Sequence, residues 1–201
     1  MAIVINGSGT VTGLAVGGLP DGTVDSDTLA TDSVVTGKIA DGTIANADIN
    51  SSAAIAGSKL VMPTGSVLQV VSDTHGAQLT LSTAGAWVDT GLSLTITPSS
   101  TSSKIHLQYA FPNVYFSTAV SGVSFRILRS GSSIFTPAII YERFTTHNGM
   151  HLGYANIAFD SPSTTSAITY KVQAAQYNSN VVRVNDNGGT KDTLIAMEIA
   201  G

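Results

Sequence analysis

The chain has 201 residues, with 9 Lys or Arg against 13 Asp or Glu, and its charged fraction of 11% is under half the ~25% of ordinary globular proteins. It has no cysteine, which excludes disulfides and thiolate chemistry. Its few bases are unclustered, so no nucleic-acid surface is expected, and no apolar run approaches the ~18 residues of a membrane span.

A mean hydropathy of +0.25 with so few charges predicts that partner subunits cover part of the surface. The charge is uneven: residues 1–62 carry six Asp and two Lys, whereas residues 63–201 carry seven acids and seven Lys or Arg. The first eleven residues, MAIVINGSGTV, have no basic stretch and too short an apolar run for a signal peptide.

Residues 1–20 hold two short apolar strips, one with Ile3 and Ile5, the other with Val11, Leu14 and Val16, separated by Gly7, Ser8 and Gly9. They predict small β-pieces joined by glycine turns. Such a segment cannot bury enough surface to fold alone. It is expected to dock onto another protein.

Residues 21–62 form an array of pentads. Val24, Leu29, Val34, Ile39, Ile44 and Ile49 are each five apart, and the series slips by one before Ile55 and Leu60. On a helix a step of five drifts around the barrel, and on a strand it flips faces at every repeat. The rhythm therefore points to a solenoid or fibrous repeat. A four-sided, single-chain solenoid needs about three stacked coils, and this array supplies under two. Three chains sharing one axis avoid that shortage, with a loose linker as the remaining reading.

Residues 63–201 read as all-β. Expected strands are Val67–Val71, Leu92–Thr97, Lys104–Tyr109, Val123–Leu128, His151–Phe159, Ile168–Ala174, Val181–Val184 and Thr193–Ile199. Pro98-Ser99-Ser100, Ser130-Gly131-Ser132, Asp160-Ser161-Pro162-Ser163 and a hairpin turn at Asn185–Gly189 separate them. Eight strands without a convincing helix predict a jelly-roll β-sandwich. Trp87, the lone tryptophan, is expected as a packing anchor.

Chemistry-bearing patterns are sparse. His147 and His151 would converge on a metal only from a helix, and Asn148-Gly149 argues for a turn. Asp25, Asp27 and Asp32 lack a calcium-loop pattern and read as solvated acids. G-x-S-x-G, Walker A, H-E-x-x-H and S-x-x-K are all absent. A glycan-cleaving site would need paired carboxylates, and spacing alone pairs none. The expectation is no catalytic residues, no metal and no cofactor. Loops on a rigid β-scaffold commonly carry binding. The candidate contact residues are therefore Phe144, Thr145, Thr146, His147 and Asn148 in one loop, and Asn185, Asp186 and Asn187 in another.

Several segments together resemble the short tail-fibre proteins of marine and cyanobacterial bacteriophages. They are INGSGTVTGLAVGGLPDGTV (5–24), DSVVTGKIADGTI (32–44), PTGSVLQVV (63–71), DTGLSLTITPSSTSSKI (89–105), SFRILRSGSSI (124–134), FDSPSTTSAITYKVQ (159–173) and LIAMEIAG (194–201). The resemblance implies a homotrimeric virion protein. Residues 1–20 would anchor it to another virion component, residues 21–62 would form a thin shaft, and residues 63–201 a jelly-roll head. The head would present its loops to a host-surface glycan or protein, with neither nucleic acid nor membrane insertion involved. The shaft is short for a reaching fibre, so a capsid decoration or head-fibre protein is the alternative, and a polysaccharide depolymerase a third reading.

Overall fold

The computed structural model describes Val24, Asp27 and residues 29–57, 60–136, 149–178 and 180–201. The expected anchor residues Ile3, Ile5, Val11, Leu14 and Val16, and the loop residues Phe144 to Asn148, lie outside the described residues. The chain divides into two units, Met1–Lys59 and Leu60–Gly201.

In the first unit each pentad closes one turn. The backbone N–H groups of Ser33, Lys38, Thr43, Asp48 and Ala53 donate to the carbonyls of Ala30, Val35, Ala40, Ala45 and Asn50, at 2.8–3.2 Å. Each accepting carbonyl directly follows an aliphatic residue: Leu29, Val34, Ile39, Ile44 and Ile49. Two turns are the 3₁₀ segments Thr36–Lys38 and Asn46–Asp48. Two others put their third residue in the left-handed region, Asp32 at φ 60° and Gly42 at φ 78°, where Gly is unstrained and Asp tolerated.

Side chains lock these turns. Asp48 accepts from the Ala45 N–H at 2.8 Å, Asn50 Oδ1 from the Ser52 N–H at 2.8 Å, and the Thr43 hydroxyl donates to the Ala40 carbonyl at 2.6 Å. This accounts for the Gly, Asp, Asn, Ser and Thr between the aliphatics, since these residues stabilise turns. One turn plus one linking residue is neither helix nor strand, which is why the spacing fits neither. Val34, Ile39 and Ile44 nevertheless line a single open depression with Ala40, Asp41 and Gly42. The repeat aliphatics stay uncovered, from 39% exposed at Ile49 to 54% at Ile44.

Among its described residues the second unit has ten strands: β1 Val67–His75, β2 Leu79–Leu81, β3 Val88–Ile96, β4 Lys104–Phe116, β5 Val123–Arg129, β6 Ser132–Phe135, β7 Met150–Asp160, β8 Ile168–Gln176, β9 Val182–Val184 and β10 Asp192–Ile199. All eight expected strands are present; β2 and β6 add to them. One sheet runs β1-β10-β4-β9-β2 with β7 also on β4, the other β3-β8-β5-β6, and every strand pairing within them is antiparallel. Chain-adjacent strands β3, β4 and β5 alternate between the sheets, so these connections cross from one layer of the β-sandwich to the other.

Alternation along each strand builds the core. Ile105, Leu107, Phe111, Ile127, Val172 and Leu194 are fully buried between the sheets, where Phe111 stacks on Phe125 with ring centroids 4.2 Å apart. Trp87 lies outside this core and covers Arg126, whose guanidinium is 4.4 Å from the ring centroid.

Strand β4 extends seven residues past the expected Tyr109. The ladder with β7 slips between Phe111 and Val114, so one extra residue is accommodated there. Pro112 sits in this bulge, where the missing N–H leaves no ladder bond unmade. Beyond the bulge, β4 exchanges its neighbour on one edge. Residues Lys104 to Ala110 pair with β10, whereas Val114 to Phe116 pair with β9. Residues Asn185–Gly189 therefore do not form the expected hairpin turn. They step from β9 to β10 along the same edge of β4, through a turn with Asn185 at φ 54° and Asn187 at φ 64°.

Candidate functional site

The bulge places a polar row on the outer face of the six-stranded sheet. Register sets Arg183 of β9 and His151 of β7 on either side of Tyr115 of β4, with Thr80 of β2 beyond Arg183. Tyr115 alternates with buried Val114 and Phe116, and Arg183 with buried Val182 and Val184, so both point outward beside the exposed His151. The Arg183 guanidinium lies 5.3 Å from the Tyr115 ring centroid, and the His151 ring 4.9 Å from it. The side chains of Arg183 and His151 are 40% and 48% exposed.

Behind the row the Asn185–Gly189 turn supplies a buried support. Asp186, its side chain 5% exposed, accepts from Arg183 Nη1 at 3.4 Å and from Asn187 Nδ2 at 3.2 Å, and its Oδ2 lies 3.9 Å from His151 Nε2. Asn113, in the bulge, donates from Nδ2 to the Asp186 carbonyl at 2.8 Å. Its Oδ1 is then left as an acceptor, 2.7 Å from His151 Nδ1, which assigns the Nδ1 proton.

Of the three contact residues expected in this turn, only Asn187 is exposed. Asn185 is fully buried, its side chain bonded to Thr190 through both Oδ1 and Nδ2. It braces the turn, as Asp186 braces the row. Sequence reasoning missed Asn113 and Tyr115, because they face outward only once the bulge has shifted the alternation of β4; Arg183 stood within an expected strand, and only the register beside Tyr115 gives it a place in the row. Pro112 within an otherwise strand-like run was the available signal.

An aromatic ring flanked by a guanidinium and an imidazole offers donors around a planar face. That set suits hydroxyl-rich or carboxylate ligands. Among the described residues Asp186 is the one carboxylate in it. Among the described residues no three His, Cys, Asp or Glu converge as a metal would require, and His147 lies outside them.

Three other described acids of the sandwich are engaged elsewhere. Asp160 accepts from Arg129 Nη1 at 2.9 Å and from the Tyr170 hydroxyl at 2.6 Å; burial, then this carboxylate, pushes the phenol up. Asp89 accepts from Gln173 at 2.7 Å and Lys171 at 3.2 Å, and the Gln173 bond holds it below its ordinary value. Asp73 accepts from the Ser93 N–H at 2.8 Å. Asp192 differs: it is 1% exposed, its Oδ1 has no partner, and burial pushes its carboxyl up to about 6.

No protein-family model and no curated protein matches the chain. Solved structures with some likeness include the VP2 subviral particle of infectious bursal disease virus, at 14% identity over 71% of this chain and 40% of that one, TM-score 0.37. The Gt strain of the same virus gives 15% over 74% and 42%, also at 0.37. A family 35 carbohydrate binding module from Clostridium thermocellum gives 10% over 63% and 97%, at 0.25. The chain spans about two fifths of the viral chains it matches. At these TM-scores the likenesses carry no argument. The two antiparallel sheets themselves define the class, an all-β sandwich protein with a turn-per-pentad repeat unit.

Proposed function

We propose that the chain is a tail-fibre-type structural protein of a bacteriophage virion, assembled as a homotrimer. The supporting observation is the repeat unit: one hydrogen-bonded turn per described pentad, each opening directly after an aliphatic residue that stays 39–54% exposed. The exposed part of Val24, Leu29, Val34, Ile39, Ile44, Ile49, Ile55 and Leu60 forfeits about half of the 1.5–3 kcal/mol that full burial of each side chain brings. Copies of the same chain around a common axis recover it.

In this reading residues 1–20 attach the assembly to another virion protein, and the sandwich presents its surface to a host-surface glycan or protein. The exposed row His151–Tyr115–Arg183, with Asn187, is the contact surface the geometry favours, and residues 144–148 adjoin it in sequence. Weak contacts suffice, because several copies on one particle raise the effective concentration. No catalytic step is part of the role.

Antibody against the sandwich, bound to purified particles and imaged, tests the placement. Label on the tail is expected. Label on capsid faces or vertices would replace the tail reading with a capsid decoration protein. New reducing ends after incubation with host surface polysaccharide would replace it with a depolymerase.

A further inference from the structure

The outer face of the six-stranded sheet changes character away from the polar row. Register aligns Val70, Met197, His106 and Phe159 in one line across β1, β10, β4 and β7, and Ser72, Ile195, Gln108 and Ile157 in the next. Val67 and Ile199 pair at the end of the same face. Phe159 is 70% exposed, Val70 59%, Ile157 56% and Val67 50%. The Phe159 ring is held flat over His106, with centroids 4.8 Å apart and planes 15° from parallel, so it is fixed in place while facing solvent. Lys104 is the one charged residue that these lines carry among the described residues.

We infer that this face is the contact surface between the sandwiches of neighbouring copies of this chain. The inference rests on the homotrimeric reading and assigns the part the sandwich plays in it. Three arguments select a second copy as occupant. The first is area. Val67, Val70, Ile157 and Phe159 with the half-covered Ile195, Met197 and Ile199 leave on the order of 400 Å² of apolar surface bare, the size at which a patch marks a contact site. A standard interface buries about 800 Å² per partner, a little over half of it non-polar. This face carries the apolar share of one such interface.

The second argument is charge. Around a three-fold axis the surface beside the axis meets its own copies, so charged groups placed there face their own sign. The outer face of the four-stranded sheet, where Arg126 stands beside the ion pair of Lys171 and Asp89, would set such charges around the axis; the nearly uncharged face around Phe159 would not. The third is tethering. Chains joined through their repeats hold their sandwiches at an effective concentration of about millimolar, so a contact too weak for free sandwiches forms within the assembly.

The test uses the full chain, which has no native cysteine. Phe159→Cys and Val70→Cys report on the face, and Ser93→Cys, on the exposed outer side of β3, is the reference. Each is reacted with a maleimide while native mass is read on the same sample. The expected result is a multi-copy mass with both face thiols labelled at least about tenfold more slowly than Ser93→Cys. A multi-copy mass with all three labelled equally fast would overturn the interface and leave the repeat-driven assembly standing. A single-copy mass with equal labelling would overturn both. Because Phe159 and Val70 lie outside the core, loss of folding is not expected, and unchanged circular dichroism checks it.

Discussion

Glu198 and Ser99 are 99 residues apart, yet one carboxylate oxygen of Glu198 lies 2.7 Å from the Ser99 backbone nitrogen and 2.6 Å from its hydroxyl. The same oxygen accepts from the Ser103 hydroxyl at 2.7 Å, and the other from Gln69 Nε2 at 2.5 Å. Burial alone would push this fully buried carboxyl up, but these bonds outweigh it and hold the group below its ordinary value. Glu198 thus pins β10, β1 and the β3–β4 turn together. Glu198→Gln faces those donors with an amide and is expected to cost about 2–3 kcal/mol. Urea unfolding measures it, and a loss below about 0.5 kcal/mol would remove the clamp from the explanation.

Asp192 and Glu198 pull the pH dependence in opposite directions. The folded pKa of Asp192 is raised, so its contribution is fully present below the ordinary carboxylate range and is lost as the pH rises through about 6. That of Glu198 is lowered, so its contribution is present above the ordinary range and is lost as the pH falls below it. The melting temperature should therefore peak at about pH 5. Asp192→Asn should remove the decline between about pH 5 and 7.5, gaining roughly 2–3 kcal/mol at the upper end. A decline that survives the substitution would assign it to another group.

Gly91, at φ 93°, lies under the His75 ring, and an added Cβ would come within 2.6 Å of it. Gly91→Ala should destabilise the sandwich by about 2 kcal/mol through strain and overlap together. Adding His75→Ala should relieve the overlap and leave the backbone strain. Equal stability of the single and double variants would contradict this.

Arg183→Ala and Tyr115→Ala alter the exposed row without entering the core. Each is expected to weaken binding of the full chain to host cells about tenfold, roughly 1.4 kcal/mol, with the melting temperature held within about 2 °C. Unchanged binding by both variants would move the contact surface off this row.

The strands were legible where apolar and polar residues alternate over one buried face, as along Ile105 to Tyr109, or where a short apolar run stands between turn residues, as along Leu194 to Met197. Strand β2, with three residues, is too short to show a period, and Ser132-Ser133 of β6 break it. The polar runs around Ser99, Ser103 and Asp160 looked like low-complexity turns. They are donors and acceptors of two clamps, and only the fold brings Gln69, Ser99 and Glu198, or Arg129, Asp160 and Tyr170, together. The polar row was hidden because one bulge at Pro112 reverses which residues of β4 face outward. The pentad spacing was legible; that each pentad is one turn required the hydrogen bonds.

Ile39 lines the open depression between Val34 and Ile44. Ile39→Asp would set like charges around a shared axis, and it should shift the full chain toward single copies, as sedimentation would read. An unchanged distribution of masses would remove Ile39 from the contact.

Native mass of the unmodified full chain bears most directly on a homotrimer held by the repeat aliphatics. Three times 20.6 kDa is the expected mass, and a clean single-copy species at micromolar concentration would contradict it.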